Sequence, residues 1–263
     1  MFNFLERPTA VSAGLLLALY ALALYFHQDP GFIQNESLRF FFLLLGLLPP
    51  VIIQALISGY RPQIANLLIT LLILILLSDS TTQPLPMFFL GLATGLIKTL
   101  VRLDHQPIFN PAAAGLFAAS FFGLLTTWWG ISYSPRLPIF QMSITNFLTL
   151  PLGLYLVFLY KKIPTLIGVP FALAVSYFLL SGKLPLVTLF EGTFTFFLLI
   201  MATEPKTSPL VDYQEWVYSL ALGGLLAWLF VNRLAPEPYL ASLLVLNLLF
   251  SIFRTVQVRL LSR

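Results

Sequence analysis

Two short polar segments interrupt an otherwise apolar chain, and each combines a helix-capping residue, a proline and basic neighbours. The first runs from Lys98 through Arg102, Asp104 and His105 to Phe109-Asn110-Pro111-Ala112-Ala113-Ala114-Gly115. Asn110 is a favoured N-cap, and Pro111 suits the first helical position because its missing N–H has no helical partner to lose. The small residues that follow let another backbone or a ligand come close. A helix start presents unsatisfied N–H groups and the positive end of the helix dipole. With Lys98 and Arg102 nearby, it could hold an anion such as a phosphate or an electron-rich ring carbonyl. The plainer reading is a capped helix with basic residues at a membrane surface, and local chemistry leaves both open. The second segment is Met201-Ala202-Thr203-Glu204-Pro205-Lys206-Thr207-Ser208-Pro209. Ser208-Pro209 repeats the cap-then-proline order, and Lys206 and Thr207 add donors. Here the plainer reading is a polar turn between two spans.

The elements that must position these segments are membrane helices. The chain has 263 residues, of which 59% are hydrophobic and only 9% charged, and its mean hydropathy is +0.92. An ordinary soluble domain is about 25% charged. So apolar a chain cannot cover itself with polar groups in water, and lipid is the solvent that suits it. Long continuous apolar runs indicate helices, because a membrane barrel would alternate polar and apolar residues. A span needs about 20 residues. The runs predict ten: Thr9–Phe26, Leu38–Ile57, Ile64–Leu77, Leu85–Val101, Ala112–Trp128, Ile144–Tyr160, Pro164–Leu180, Leu184–Ala202, Tyr213–Val231 and Pro238–Phe253. Ile64–Leu77 is short enough to be a half-helix. The first span carries no small-residue cleavage site and reads as a retained helix.

Orientation follows from the basic residues. With the N-terminus inside, Arg7, Arg61, Lys98, Arg102, Lys161, Lys162, Lys206, Arg254, Arg259 and Arg263 fall inside, and Arg39, Arg136, Lys183 and Arg233 fall outside. Both termini are thus expected in the cytoplasm, in the cell membrane. Residues 1–263 read as one membrane domain. Residues 1–128 form a first half and 142–263 a second. Five spans in each half would make the halves inverted in the bilayer. A faint echo supports this: Arg-Leu-Asp-His-Gln-Pro from Arg102 resembles Arg-Leu-Ala-Pro-Glu-Pro from Arg233. Pro49, Pro50, Pro151 and Pro170 fall within spans. Each marks either an ordinary packing kink or a broken helix lining a cavity.

Other polar residues in the apolar runs need a reason. Glu191, beside Gly192, is a candidate proton or cation ligand for ion coupling, or else lies nearer the interface. Asn66, Asn146 and Asn247 suit interhelical hydrogen bonds. Trp128 and Trp129 suit an interfacial belt. The absence of cysteine excludes disulfides, thiolate metal sites and cysteine nucleophiles within the chain. The two histidines lie in different loops and do not suit a bis-histidine haem. No basic stripe with interleaved aromatics suggests nucleic acid, and no nucleophile elbow or metal-ligand cluster suggests a hydrolase.

At the two polar segments the sequence resembles the NqrB/RnfD family. These are membrane subunits of the sodium-pumping NADH:quinone oxidoreductase and of the Rnf ferredoxin:NAD oxidoreductase. Lys98, His105, Phe109, Asn110, Pro111 and Ala112 match one family pattern. Ala202 to Pro209 matches a second, with Glu204 for Asp and Lys206 for Val. Gly223, Gly224, Arg233, Glu237 and Leu246 with Asn247 follow in the family's order. The resemblance implies ten helices in two inverted five-helix halves, similar to urea transporters, and flavin-linked electron transport coupled to ion movement. It implies partner subunits of an electron-transport complex. It further implies a flavin site built from Lys98, Arg102, His105, Asn110, Thr203, Glu204, Thr207 and Ser208. The chain departs from the family in lacking the Ser/Thr-Gly-Ala-Thr motif that attaches FMN covalently. The flavin expected is therefore non-covalent FMN or riboflavin. The alternative expectation is a small-solute or flavin transporter or channel on the same scaffold, without redox activity. A third is a structural membrane partner with no site of its own.

Overall fold

The computed structural model describes residues 7–27, 30–58, 63–103, 106–124, 126–132, 145–209 and 212–261. Apolar runs with few breakers fold as helices: α1 (Arg7–Phe26), α2 (Pro30–Ser58), α3 (Ile64–Leu77) and α4 (Pro84–Leu100). A two-residue antiparallel hairpin follows, β1 (Arg102–Leu103) against β2 (Gln106–Pro107). Then come α5 (Pro111–Ser120), the single turn α6 (Trp129–Ser132), α7 (Asn146–Tyr160), α8 (Ile163–Ser181), α9 (Leu186–Phe190) and α10 (Gly192–Phe196). α10 continues as a π-helical turn over Phe197–Met201, and α11 (Asp212–Asn232) and α12 (Pro238–Leu261) complete the fold.

Among the described residues, four helices are long and apolar enough to cross a membrane: Pro8–Phe26, Pro30–Ile57, Ile163–Ser181 and Tyr213–Asn232. Among the described residues, six apolar helices are shorter: Ile64–Leu77, Pro84–Leu100, Pro111–Ser120, Asn146–Tyr160, Gly192–Met201 and Pro238–Arg254. The fold is all-α, as the composition requires, and its outer surface suits lipid. Phe122 is 91% exposed, and Leu56, Ile57, Phe171 and Val217 also face outward. Burying every apolar side chain is unnecessary where hydrocarbon is the solvent.

Two expected spans are not single helices. Ala112–Trp128 stops as helix at Ser120. Gly123 (φ 80°) turns the chain, which then bridges from Thr126 to Ser78 just beyond α3. Leu184–Ala202 breaks at Glu191, which is extended (φ −73°, ψ 144°) between α9 and α10. In contrast, α2 begins at Pro30 and not Leu38, because a proline starts a helix well. That extension brings Glu36 into the same helix as Arg39.

The two most extensive interhelix contacts are α2 with α4 and α8 with α11. Glycines permit both. A Cβ at Gly46 or Gly91 would collide with a carbonyl oxygen of the facing helix, that of Phe88 or Leu43. A Cβ at Gly223 would collide with that of Val169. α1 packs on α3, α7 on α10 and its π turn, α4 on α5 and α11 on α12. α1 also meets α7, and α5 meets α12.

Candidate functional site

The structure brings the two polar segments together. Asn110 caps α5: its Oδ1 accepts from Ala113 N at 3.1 Å. The remaining amide N–H₂ can only donate, and the Asn110 side chain comes near enough to the Glu204 carboxylate to favour its charged form. Lys98, in the last turn of α4, donates to Asn66 O (3.1 Å) and Thr70 Oγ1 (2.9 Å) on α3. Arg102 Nε donates back to Lys98 O at 2.9 Å. Around Glu204, Ser208 Oγ donates to its backbone carbonyl (2.7 Å) and Thr207 Oγ1 reaches its carboxylate (3.5 Å). Thr203 Oγ1 donates to Leu199 O (2.7 Å), so it closes the π turn. Burial pushes the Glu204 carboxyl above its ordinary range, while the ammonium groups of Lys206 and Lys98 pull the other way. Of the expected site residues, Lys98, Arg102, Asn110, Thr203, Glu204, Thr207 and Ser208 lie in this region; Asp104 and His105 fall outside the described residues.

A buried ion pair lies beside this cluster. Lys162, between α7 and α8, is 1% exposed and donates to the Pro209 carbonyl, with Glu215 Oε2 at 3.5 Å. Glu215 Oε1 accepts from Thr165 Oγ1 (2.8 Å) and Thr165 N (3.3 Å). Burial lowers the Lys162 ammonium, and Glu215 partly restores it. Deeper in, Tyr218 Oη donates to Asn247 Oδ1 at 2.8 Å, leaving the buried Asn247 Nδ2 without a partner.

The opposite end of the helices holds a different set of polar groups. Met87 and Lys98 are eleven residues apart on α4, about 16 Å at helical rise. Near Met87, Arg39 pairs with Glu36 and donates to Ser78 Oγ (3.0 Å) and to the Asp79 carbonyl (2.6 Å). Arg39 and Glu36 are 0% and 1% exposed. On the same side Trp128 Nε1 donates to Glu237 Oε2 at 3.2 Å, and burial raises the Glu237 carboxyl above the usual carboxylate range. Glu191 lies at the α9–α10 break, beside Asn146, whose Nδ2 donates to Phe190 O at 3.4 Å. It is thus remote from the Glu204 cluster.

Sequence reasoning missed the buried pairs Glu36–Arg39 and Lys162–Glu215 and the Glu237–Trp128 contact. Arg39 and Lys162 read as loop charges that set orientation, whereas both are interior. The signal was present: Glu36 and Arg39 are three apart, which one helical face brings together, and Glu215 falls within an expected span.

The resemblance implies a flavin, and the Glu204 cluster does not fit one as it stands. The motif side chains at Lys98, Asn110, Thr203, Thr207 and Ser208 already bond within the protein. A Cβ at Gly115 would collide with Thr94 Oγ1, so the small-residue helix is spent on packing against α4. A cavity of about 530 Å³ lies elsewhere, lined mainly by Leu150, Leu154, Leu166, Pro170, Phe190 and Phe194, with Thr195 its polar member. No family of known proteins matches the chain, and no curated protein matches it.

Proposed function

We propose that the chain is an ion-translocating membrane subunit built from two inverted five-element halves, with both termini on the cytoplasmic face. One observation carries this reading: each half places a buried base so that it reaches the backbone beyond its third apolar element. Arg39, on α2, donates to the Asp79 carbonyl after α3. Lys162, just before α8, donates to the Pro209 carbonyl after the π turn. The two contacts lie at opposite ends of the helices, as inversion demands. The recurring α2–α4 and α8–α11 packing supports the same reading. Ten apolar elements, four long and six short, then correspond to the ten spans. Ionisable groups held inside a membrane protein mark ion pathways, and this chain buries Glu36, Arg39, Lys162 and Glu215. The chain's lack of cysteine makes a direct topology test available. Single cysteines in place of Asp79 and Lys206 should label with an impermeant maleimide from opposite faces of sealed vesicles. Labelling from the same face overturns the inverted arrangement. Ion flux into liposomes containing the purified protein tests the activity; no flux of any monovalent cation overturns it.

A second reading places the chain in flavin-linked electron transport, as the NqrB/RnfD resemblance implies, with other subunits as partners. It is favoured by the meeting of Asn110 and Glu204, one from each motif, and by the unpartnered Asn247 Nδ2 donor behind them. A flavin would supply the redox chemistry. Its seat would require the two loops to part. Flavin absorbance that follows the purified protein, and is lost in N110A, tests this reading; colourless protein that takes up neither FMN nor riboflavin removes it.

A further inference from the structure

We propose that the cavity between α7 and α8 holds one acyl chain of an anionic phospholipid whose phosphate lies at Lys161. The site is independent of ion translocation; it needs only that the chain sits in a bilayer.

The cavity follows from how its two walls are held. α7 and α8 are neighbours in sequence, yet they touch each other little. Each is seated on another element. A Cβ at Gly153 of α7 would collide with the Leu199 side chain, so α7 lies close on the π turn. A Cβ at Gly168 of α8 would collide with Cβ of Ser219, and one at Gly223 with the Val169 carbonyl, so α8 lies close on α11. The gap left between them is the cavity of about 530 Å³. Leu150 and Leu154 form one wall, Leu166 and Pro170 the other, and Phe194 and Leu198 the floor. The four wall residues are only half-buried, so the gap opens outward. The surface around it is one that a bilayer covers: Phe158, Ile167 and Phe171 are all exposed.

The lining selects hydrocarbon. Thr195 is its polar member, and the Thr195 hydroxyl is spent on the Glu191 carbonyl (3.1 Å). A polar solute would lose its hydration there without gaining a partner. A partner helix does not fit either. With side chains a helix is about 10–12 Å across, whereas these walls converge on a turn made of Lys161 and Lys162 alone. A single extended chain is thin enough to follow the gap.

Length and charge identify the lipid. Leu150 is eleven residues before Lys161, about 16 Å at helical rise. Half of a bilayer's hydrocarbon core is about 15 Å. A phosphate level with the turn therefore carries its acyl chain through the whole cavity and ends it beside Leu150. Of the two lysines in the turn, Lys162 points inward to Glu215, and Lys161 is exposed. Lys161 closes α7 in a left-handed conformation, φ 57°. An exposed lysine at the membrane surface attracts an anionic headgroup. The chain it anchors lies against Phe194 and Leu198, and so braces the π turn from the lipid side.

The test uses phosphatidylglycerol with a photoactivatable group at the end of one acyl chain, added to the purified protein in detergent. Phosphatidylcholine with the same chain is the control, and crosslinked residues are mapped by mass spectrometry. Labelling should concentrate on the cavity lining around Leu150 and Phe194, and unlabelled phosphatidylglycerol should compete it away saturably. Phosphatidylglycerol should label about fivefold more strongly than phosphatidylcholine, the worth of one surface lysine. K161Q should bring the two lipids level without moving the unfolding midpoint, because Lys161 is exposed. L154W should fill the cavity and cut labelling several-fold with either lipid. Labelling spread evenly over the exposed faces, with no saturable excess in the cavity, overturns the site. Equal labelling by both lipids, unchanged in K161Q, overturns the anionic headgroup. A dimer whose cavity takes no label shows a second copy in the place of the lipid, and overturns the proposal too.

Discussion

The two ends of the helical assembly treat buried charge in different ways. At the Glu204 end the buried pair joins two separate elements, Lys162 to Glu215, and the ammonium groups of Lys98 and Lys206 act on Glu204 from nearby. At the other end the buried pair Glu36–Arg39 lies within one helix, and the half-buried Glu237 accepts from the Trp128 indole. The orphaned atoms differ in kind as well. Asn247 leaves a nitrogen donor near the first end, and Asn146 leaves an oxygen acceptor near the second. A compensated cluster holds loops in place. Burying a charge without a partner costs several kcal/mol per ion, a cost that the Lys162–Glu215 and Glu36–Arg39 pairings offset.

The comparison breaks most sharply at Glu215. If the first end is structural, E215A leaves Lys162 buried and unpaired and also strips Thr165 of its acceptor. A loss of about 3–5 kcal/mol is expected, the usual cost of removing one partner of a buried pair. Thermal unfolding in detergent measures it. The double variant K162M/E215L should recover much of the loss, because no lone charge remains. A neutral E215A would show that the pair is dispensable and would weaken the contrast.

The proposed likeness between the halves can be tested at their glycines. G91A and G223A each push a methyl into a carbonyl of the facing helix. Overpacking of this sort costs about 1–3 kcal/mol, and the two losses should be similar. A large effect in one half and none in the other would undo the equivalence of α2–α4 with α8–α11. N110A is the next smaller step. It removes an N-cap, worth about 1 kcal/mol, and a polar neighbour of Glu204. Unfolding midpoints should fall modestly, and E204Q should then add less than it does alone, since the two side chains share one contact.

The helices were legible in the sequence to the extent that their apolar runs were continuous. Ile64–Leu77 has the same limits in both readings, because Gln63 and Ser78 bracket an unbroken apolar stretch. The run from Ala112 to Trp128 misled, because apolarity alone does not register that Gly123 turns the chain. Leu184–Ala202 misled in the same way: Glu191 stood out as a polar residue but not as a helix break. Among the site residues, Asn110 and Ser208 were legible through cap-then-proline order, which is local. The pairings of Arg39 with Asp79, Lys162 with Glu215 and Trp128 with Glu237 were not. They join residues 40, 53 and 109 positions apart, and hydropathy holds no information about such distances.

The smallest expected effect concerns pH at Glu204. Burial raises its folded-state carboxyl above the ordinary glutamate value, about 4.3. A raised carboxyl binds its proton more tightly in the folded chain than in the unfolded one. Its contribution to stability is therefore full below the unfolded value and is lost as pH rises through the folded one. Lys98 and Lys206 oppose the shift, so the slope should be shallow. Unfolding midpoints measured across this range should fall with rising pH, and E204Q, which cannot titrate, should flatten that part of the profile. If the slope ran the other way, the lysines would outweigh burial. The Glu204 end would then be held chiefly by charge attraction, and its contrast with the Glu36–Arg39 end would be stronger still.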